Sequence, residues 1–383
     1  MTNDDGPNPP RVALFTDAFH EPNGLGTLSR EFAAFAQRRG LPFCRVNAGP
    51  ATSTAQEGSI TAIELKRGIR IRLDKDLYCD PLLSRYRNFV IRQLTQFRPD
   101  LIHITGPGDT GILGAWIAHL MNVPLAASWH TNLHEYAGRR IPKALRSGWV
   151  AAHAERLSLR ALMAFYGLAR FVLAPNQSMV DLLAERTRRP SFLMKHGVDT
   201  SRFVPRAKPD GPFCFGFVGR LTPEKNVRAF VDIEQQLLAA GERDFRILLV
   251  GDGSERNWLQ QHLTKATLPG FLQGDQLVRA FASMDAFVFP SQTDTFGLVV
   301  LEAMASGVPV LLSPEAGRRI GISHGVEGFI STNFSEGILT LMHGDGLRQK
   351  MGAAAERFAR TQSWEGVFED LYRTYDVALN PLR

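Results

Sequence analysis

Short apolar runs, each ending at a turn and followed by a helical stretch, recur along this 383-residue chain in two separate series. That alternation permits few architectures. A chain that leaves a sheet, returns through a helix and pairs again builds a parallel, doubly wound α/β layer. The first series opens with a strand at Arg11–Phe19 and the turn "HEPNGLG". A helix "TLSREFAAFAQRRG" follows, with Thr27 or Ser29 as cap and Gly40 as stop. Strands near "FCRVNA", at Leu101–Thr105 and at Pro124–His130 follow, with the helix "DTGILGAWIAHLMN" between the last two. The stretch Val204–Pro212 then interrupts the pattern with three prolines, a glycine and charges, the composition of a linker. The second series runs through "FCFGFVGRL", the helix "NVRAFVDIEQQLLAAG", "FRILLVGDG", a helix near Glu255–Leu263, a short strand around "GFLQG", the helix "QLVRAFASM" and "AFVFPS". It ends in the helix "GLVVLEAMASG", stopped by Gly307. Two domains are expected, residues 1–204 and 205–363, with an amphipathic helix over 364–383 that crosses back to the first. The length suffices for two cores.

Open parallel sheets bind ligands beyond the carboxyl ends of their strands, so the turns carry the functional signal. In "SQTDTFGLVVLEAMASGVPV", Asp294 lies in such a turn and Glu302 about one and a half helical turns further on. The free N–H groups of a helix starting near Gly297 form an anion site. An apolar helix gains nothing from an unpaired acid, so Glu302 either meets a core Arg or Ser or faces a ligand. In "VGRLTPEKN", a strand ends at Gly219, and Arg220 and Lys225 follow. A forked guanidinium with a mobile ammonium suits a diphosphate. The plainer reading is two surface cations placed against the dipole of a helix start. In "LVGDGSE", Gly251 and Gly253 bracket Asp252. They leave room for a base or ribose, or make an ordinary turn. "NGLGTLS" places Gly24 and Gly26 in a near match to G-x-G-x-x-G, with Ser29 at the third position. A nicotinamide-dependent dehydrogenase needs an acid some 20 residues later, and "FCRVNAG" offers none. His130, in "SWHTNLHEY", stands where a strand leaves the sheet. It is either structural or directed at a ligand, and "HTNLH" lacks the glutamate of a metalloprotease motif.

Composition narrows the classes. Cys44, Cys79 and Cys214 are far apart, with no metal-binding spacing, so no zinc site is expected and reduced thiols in a cytoplasmic protein fit. The start "MTNDDGPNPP" lacks the form of a signal peptide, and no uncharged apolar run reaches the roughly 18 residues of a spanning helix. The net charge of +6 is uneven. Residues 1–200 hold 25 Lys/Arg against 17 Asp/Glu, and residues 201–383 hold 19 against 21. The basic half suits an anionic partner such as a phosphorylated acceptor, a membrane surface or nucleic acid, or is an ordinary solvated surface with a mild excess; of these, nucleic acid is not an expected partner. Within it, "YAGRRIPKALRSGW" (Tyr136–Trp149) interleaves Arg139, Arg140, Lys143 and Arg146 with Ile, Leu and Trp. That pattern fits an interfacial helix peripheral to the inner membrane face, a solvated basic helix or an acceptor-phosphate site.

Taken in order, "VGRL…EKN…LVGDG…FPS…DTFGLVVLEAMASGVPV" resembles the retaining glycosyltransferases of family four, the group 1 glycosyl transferases. The resemblance covers nearly the whole chain and is strongest from Gly216 to Val310. It implies a GT-B fold, two Rossmann-like α/β domains facing a deep cleft. The first domain binds the acceptor and the second a nucleotide sugar. Carried over by position, it implies that Asp294 meets the donor sugar's hydroxyls and Glu302 the ribose. Backbone N–H groups of Phe296, Gly297 and Leu298 would meet sugar and phosphates. Gly219, Arg220 and Lys225 would hold the diphosphate, and Gly24 or Gly26 would let the first domain approach it. The base would lie near Phe271 and Leu272, with Gly251 and Gly253 close by. His130 resembles the family histidine near the reacting sugar, which makes His130, Arg220, Lys225 and Asp294 the catalytic set. Two positions depart from the pattern: Asp294 is one methylene shorter than the usual glutamate, and His196 stands where asparagine is commoner.

The resemblance implies transfer from GDP-mannose or a UDP-sugar to a lipid, glycan or small-molecule hydroxyl, with retention. No Asp-x-Asp metal pattern is present, and no cofactor is expected beyond the nucleotide sugar as co-substrate. A front-face, oxocarbenium-like route is expected, since no carboxylate nucleophile stands out in the first domain. An epimerase or hydrolase on the same fold is the alternative. A catalytically dead binding module is disfavoured by the intact Arg220, Lys225 and Glu302.

Overall fold

The computed structural model describes residues 8–21, 23–69, 71–74, 77–130, 148–292 and 297–380. The chain forms two compact units, Met1–Lys195 with Val367–Arg383, and His196–Gly366. The division falls ahead of the Val204–Pro212 stretch, and its cause is packing. The Val198 N–H donates to the Gln362 carbonyl at 2.8 Å, and the Phe203 ring meets Phe281 edge-on at 5.7 Å. Residues 196–204 therefore belong to the second core rather than the first.

The first unit holds an eight-stranded sheet in the order β10-β9-β8-β7-β1-β2-β4-β3. In chain order these are β1 (Val12–Thr16), β2 (Phe43–Gly49), β3 (Ser53–Glu57), β4 (Ile60–Lys66), β7 (Leu101–Ile104), β8 (Leu125–Ser128), β9 (Phe171–Ala174) and β10 (Ser191–Leu193). A separate hairpin joins β5 (Ile71–Asp74) to β6 (Leu77–Cys79). All pairings in the large sheet are parallel except β3 with β4. Every residue of β1 is buried, as expected for a strand covered by helices on both faces.

The helix after β1 runs over Gly24–Arg38, and its cap is Asn23, not Thr27 or Ser29. The Asn23 side chain accepts the Gly26 N–H at 2.9 Å, which satisfies one of the orphan donors of the first turn. Ser29 lies further along, its hydroxyl 2.7 Å from that of Thr16. Both glycines of "NGLG" thus lie within the helix rather than ahead of it. The last helix, Trp364–Leu379, begins in the second unit and from Val367 belongs to the first. There Phe368 stacks on Phe32 at 4.6 Å, Glu369 pairs with Arg39, and Arg170 donates to the carbonyl of Ala378 at 3.1 Å. This helix is the lid over one face of the first sheet.

The second unit is built on a six-stranded, wholly parallel sheet in the order β13-β12-β11-β14-β15-β16. The strands are β11 (Phe213–Val218), β12 (Phe245–Val250), β13 (Ala266–Gly270), β14 (Ala286–Phe289), β15 (Val310–Leu312) and β16 (Gly328–Ile330). The strand expected around "GFLQG" ends at Gly270, so Phe271 and Leu272 lie beyond its carboxyl end. Phenylalanines fill the centre: Phe217 stacks on Phe289 at 6.0 Å, and Phe215 on Phe230 at 6.3 Å. Offset aromatic pairs of this kind add to what area burial alone contributes. Among the described residues, no helix is long and apolar enough to cross a membrane.

Candidate functional site

In the second sheet the winding direction reverses at one place. From β11 the chain moves outward through β12 and β13. It then returns to β14 on the other side and continues to β15 and β16. The connections leaving β11 and β14 therefore diverge and open a crevice at their carboxyl ends, the position at which open α/β sheets take ligands. Those connections are Gly219–Lys225 and Ser291–Glu302. They touch: the Ser291 hydroxyl donates to the Glu224 carbonyl at 3.4 Å, and the Lys225 ammonium lies 6.0 Å from the centre of the Phe289 ring. The Ser313 hydroxyl donates to the Ser291 carbonyl at 2.6 Å, tying the β15 end to the same floor.

Local geometry explains the glycines. Gly219 has φ +152°, and Gly251 has φ +132°. A Cβ on Gly251 would lie 1.9 Å from the Gly219 carbonyl oxygen, and one on Gly253 would lie 2.2 Å from that of Leu221. The Gly251 N–H donates to the Gly270 carbonyl at 2.8 Å. These glycines let the ends of β11, β12 and β13 converge, a reason for them inside the chain itself. Beside them Phe271 is exposed and Leu272 packs against the core. Arg220 and Glu224 stand 3.4 Å apart, and Lys225 closes a one-turn 3₁₀ helix, Pro223–Lys225.

On the β14 side, Gly297 is left-handed, with φ +78°, and caps the helix Leu298–Ala305. Its freedom from a side chain permits that turn, and the first N–H groups of the helix face out of it. Asp294 and Phe296 lie outside the described residues. Glu302 is half-buried. Burial raises its carboxyl to about 7, and the charge of Arg202 pulls the other way. Among the described residues no ion pair forms at Glu302. The Ser306 hydroxyl donates to its carbonyl at 2.9 Å, not to its carboxylate. Arg202 was not singled out from the sequence, since it lies 100 positions from Glu302. Together these connections carry two cations, a helix start and a carboxylate at the carboxyl ends of β11 and β14. Among the described residues no three His, Cys, Asp or Glu side chains gather as a metal cage.

The first sheet reverses between β1 and β7. Gly24 is exposed at the helix start after β1. Gly26 is enclosed by its own chain: a Cβ there would meet the Glu21 and Ala18 carbonyl oxygens at 2.2 and 2.5 Å. Beyond β7, the Thr110 N–H donates to Asp17 at 2.8 Å. Burial, then the neighbouring Asp109, holds the Asp17 carboxyl far above the usual range. His130 is buried just past β8, with its Nε2 2.7 Å from the Ser128 hydroxyl. That hydroxyl is in turn 2.9 Å from His103 Nε2, and His103 Nδ1 is 2.6 Å from the Tyr375 hydroxyl. Sequence reading had given His103 and Tyr375 no role beyond strand and helix. Of the basic stretch Tyr136–Trp149, residues 136–147 lie outside the described residues.

Comparison with known proteins agrees with this geometry. Residues 22–202 match the family described as Glycosyltransferase Family 4, and residues 199–358 match Glycosyl transferases group 1. A GDP-mannose-dependent alpha-mannosyltransferase of Mycolicibacterium smegmatis is 33% identical over 308 residues, covering 76% of each chain. The sulfoquinovosyl transferase of Arabidopsis thaliana is 31% identical over 72% of this chain and 56% of its own. Among solved structures, the sucrose-phosphate synthase of Thermosynechococcus elongatus superposes with a TM-score of 0.73 at 16% identity, covering 96% of this chain and 99% of that one. An Anabaena protein solved with UDP and glucose gives 0.68 at 17% identity, with the same coverage.

Proposed function

The chain belongs to the group 1 glycosyl transferases of GT-B fold and so transfers sugar from a nucleotide donor, and on that premise we propose that it moves mannose from GDP-mannose to a hydroxyl acceptor with retention at the anomeric carbon. The observation that supports this is that Arg220, Lys225, the Gly297 helix start and Glu302 all lie on the two connections that leave β11 and β14 at their carboxyl ends. Departure of the nucleotide builds negative charge on its diphosphate. Two cations and unsatisfied N–H groups fixed in place stabilise that charge without reorganising. In this reading Glu302, ionised, accepts from the ribose hydroxyls. Asp294 reads the sugar, and the amides of Phe296, Gly297 and Leu298 meet sugar and phosphate. Phe271 and Leu272 border the base. Gly24 approaches the phosphates, and His130 serves the transferred sugar. No metal is needed, because the protein's own cations neutralise the leaving group. The donor choice is supported by the relatives: three GDP-mannose-dependent mannosyltransferases at 29–33% identity span about three quarters of this chain.

The acceptor is proposed to be a lipid, glycan or small-molecule hydroxyl. Tyr136–Trp149 is proposed to contact an anionic membrane surface, which flotation with anionic vesicles at low salt tests. None of the relatives described above is an epimerase or hydrolase. Product formed without acceptor would mark either one. The decisive experiment combines thermal unfolding in GDP-mannose, other GDP-sugars and UDP-sugars with a transfer assay whose product is examined by NMR at the anomeric position. GDP-mannose should raise the melting temperature most, and the product should keep the α configuration with EDTA present. A larger rise with a UDP-sugar would refute the donor, and a β product would refute retention.

A further inference from the structure

A line of buried side chains in the first unit reaches His130 from the last helix. His103 on β7 is in register with Ala126 on β8. Ser128, two residues on, therefore shares its face of the sheet. Tyr375 comes down on that face from the helix Trp364–Leu379, its ring 5.9 Å from that of His103. Tyr375, His103 and Ser128 are fully buried and His130 nearly so. Three successive hydrogen bonds, of 2.6, 2.9 and 2.7 Å, join them in the order Tyr375, His103, Ser128, His130.

We propose that Tyr375, His103 and Ser128 form a relay that holds His130 in a single tautomer, with the proton on Nδ1, and so act as positioning residues for sugar transfer. Donor counting gives the direction. Among the described residues the Tyr375 hydroxyl has one partner, His103 Nδ1. If the phenol accepted there, its own proton would be buried without a partner, a costly arrangement. The phenol therefore donates to Nδ1. Burial depresses His103 to about 3, so the ring is neutral and carries its one proton on Nε2. That N–H donates to the Ser128 oxygen. The serine proton then has two acceptors, His130 Nε2 at 2.7 Å and the Ile104 carbonyl at 3.3 Å. The nearer one takes it, which leaves the His130 proton on Nδ1, the buried ring nitrogen that is not part of the relay. An oriented ring held in a single tautomer is what a group serving a developing charge requires. The inference rests on the proposed role of His130 in transfer, but the tautomers do not.

The test is histidine-selective ¹H–¹⁵N long-range correlation on the full chain, which reads tautomers directly. In the wild type, His103 is expected as the Nε2–H form and His130 as the Nδ1–H form. In Tyr375→Phe, which removes one oxygen from a ring otherwise retained, His103 loses its fixed form and His130 shows both. The same variant and Ser128→Ala should lose about tenfold or more in kcat with GDP-mannose, with KM within twofold. Ser128→Thr should restore most of it, because it returns the hydroxyl. His130 found as Nε2–H in the wild type overturns the relay, and this result needs no variant to fold. Wild-type kcat in both Tyr375→Phe and Ser128→Ala overturns its part in transfer. A wild type that transfers no sugar from any donor would instead defeat the proposed function, while its tautomers would still decide the relay.

Discussion

Glu302→Gln should make the free protein more stable at pH 8 and weaken its grip on the donor. The carboxyl titrates near 4.5 in an unfolded chain and is raised to about 7 by burial in the folded one. Between those values the folded state binds more protons than the unfolded state. The wild type therefore loses stability as pH rises from about 4.5 through 7, and above 7 the loss is complete. At 1.36 kcal/mol for each tenfold change in proton affinity, the ceiling is about 3 kcal/mol. The side chain is only half-buried, and water screens part of the charge, so about 1–2 kcal/mol is the expected effect. For a unit the size of His196–Gly366, each kcal/mol moves the midpoint by about 2–4 °C. Thermal unfolding without donor, from pH 5 to 8.5, measures it. The wild-type and Gln curves should coincide near pH 5, separate through pH 7, and stay apart by about 2–8 °C at pH 8. GDP-mannose should then stabilise the variant far less than the wild type, because an amide replaces a charged acceptor. Equal midpoints at pH 8, or a gap that does not change with pH, would refute the reasoning. A strained or desolvated group of this kind is where stability is commonly given up for function.

Three other outcomes follow from the same structure. Lys225→Ala should lower kcat by about 100-fold, the scale of one lost charge-stabilising donor, with the melting temperature nearly unchanged; near-normal turnover would remove Lys225 from the clamp. Gly251→Ala puts a Cβ 1.9 Å from the Gly219 carbonyl oxygen at a φ of +132°. It should cost at least about 3 kcal/mol in denaturant unfolding, and a change under about 1 kcal/mol would contradict the packing described. Asp17 is held protonated by burial and by Asp109, so its contribution is present at low pH and disappears as pH rises through the raised value. Between about pH 4 and 8 the wild-type midpoint should decline while that of Asp17→Asn holds; parallel declines would rule this out.

The doubly wound architecture was legible because burial on both faces makes each strand a short apolar run, and because prolines and glycines interrupt the series at Val204–Pro212. The last helix was legible, since its periodicity is long and uninterrupted, and it runs over Trp364–Leu379. Two kinds of information were not. The first is why a glycine is there: "NGLG" reads as an open turn, yet Asn23 caps a helix that already contains both glycines. Gly26 and Gly251 exist for contacts with their own backbone. The second is any pairing fixed by register or distance. His103 and Ser128 meet because β7 and β8 align His103 with Ala126, and Arg202 bears on Glu302 across 100 residues. No local pattern encodes either.

The last helix also sets an order of events during synthesis. Residues Val367–Arg383 complete the unit that begins at Met1, but they leave the ribosome roughly 170 residues after Lys195, on the order of 10–30 s later at ordinary elongation rates. Until then Phe32 lacks Phe368, and the His103 ring lacks the hydroxyl of Tyr375. The second unit, His196–Gly366, ends before them. The half of the chain made first is therefore finished last, and it spends the interval with an aromatic face uncovered. A nascent chain in that state is a natural client for a chaperone that recognises exposed apolar surface. A stop codon at Val367 would leave the first unit permanently open with every residue of the second already made.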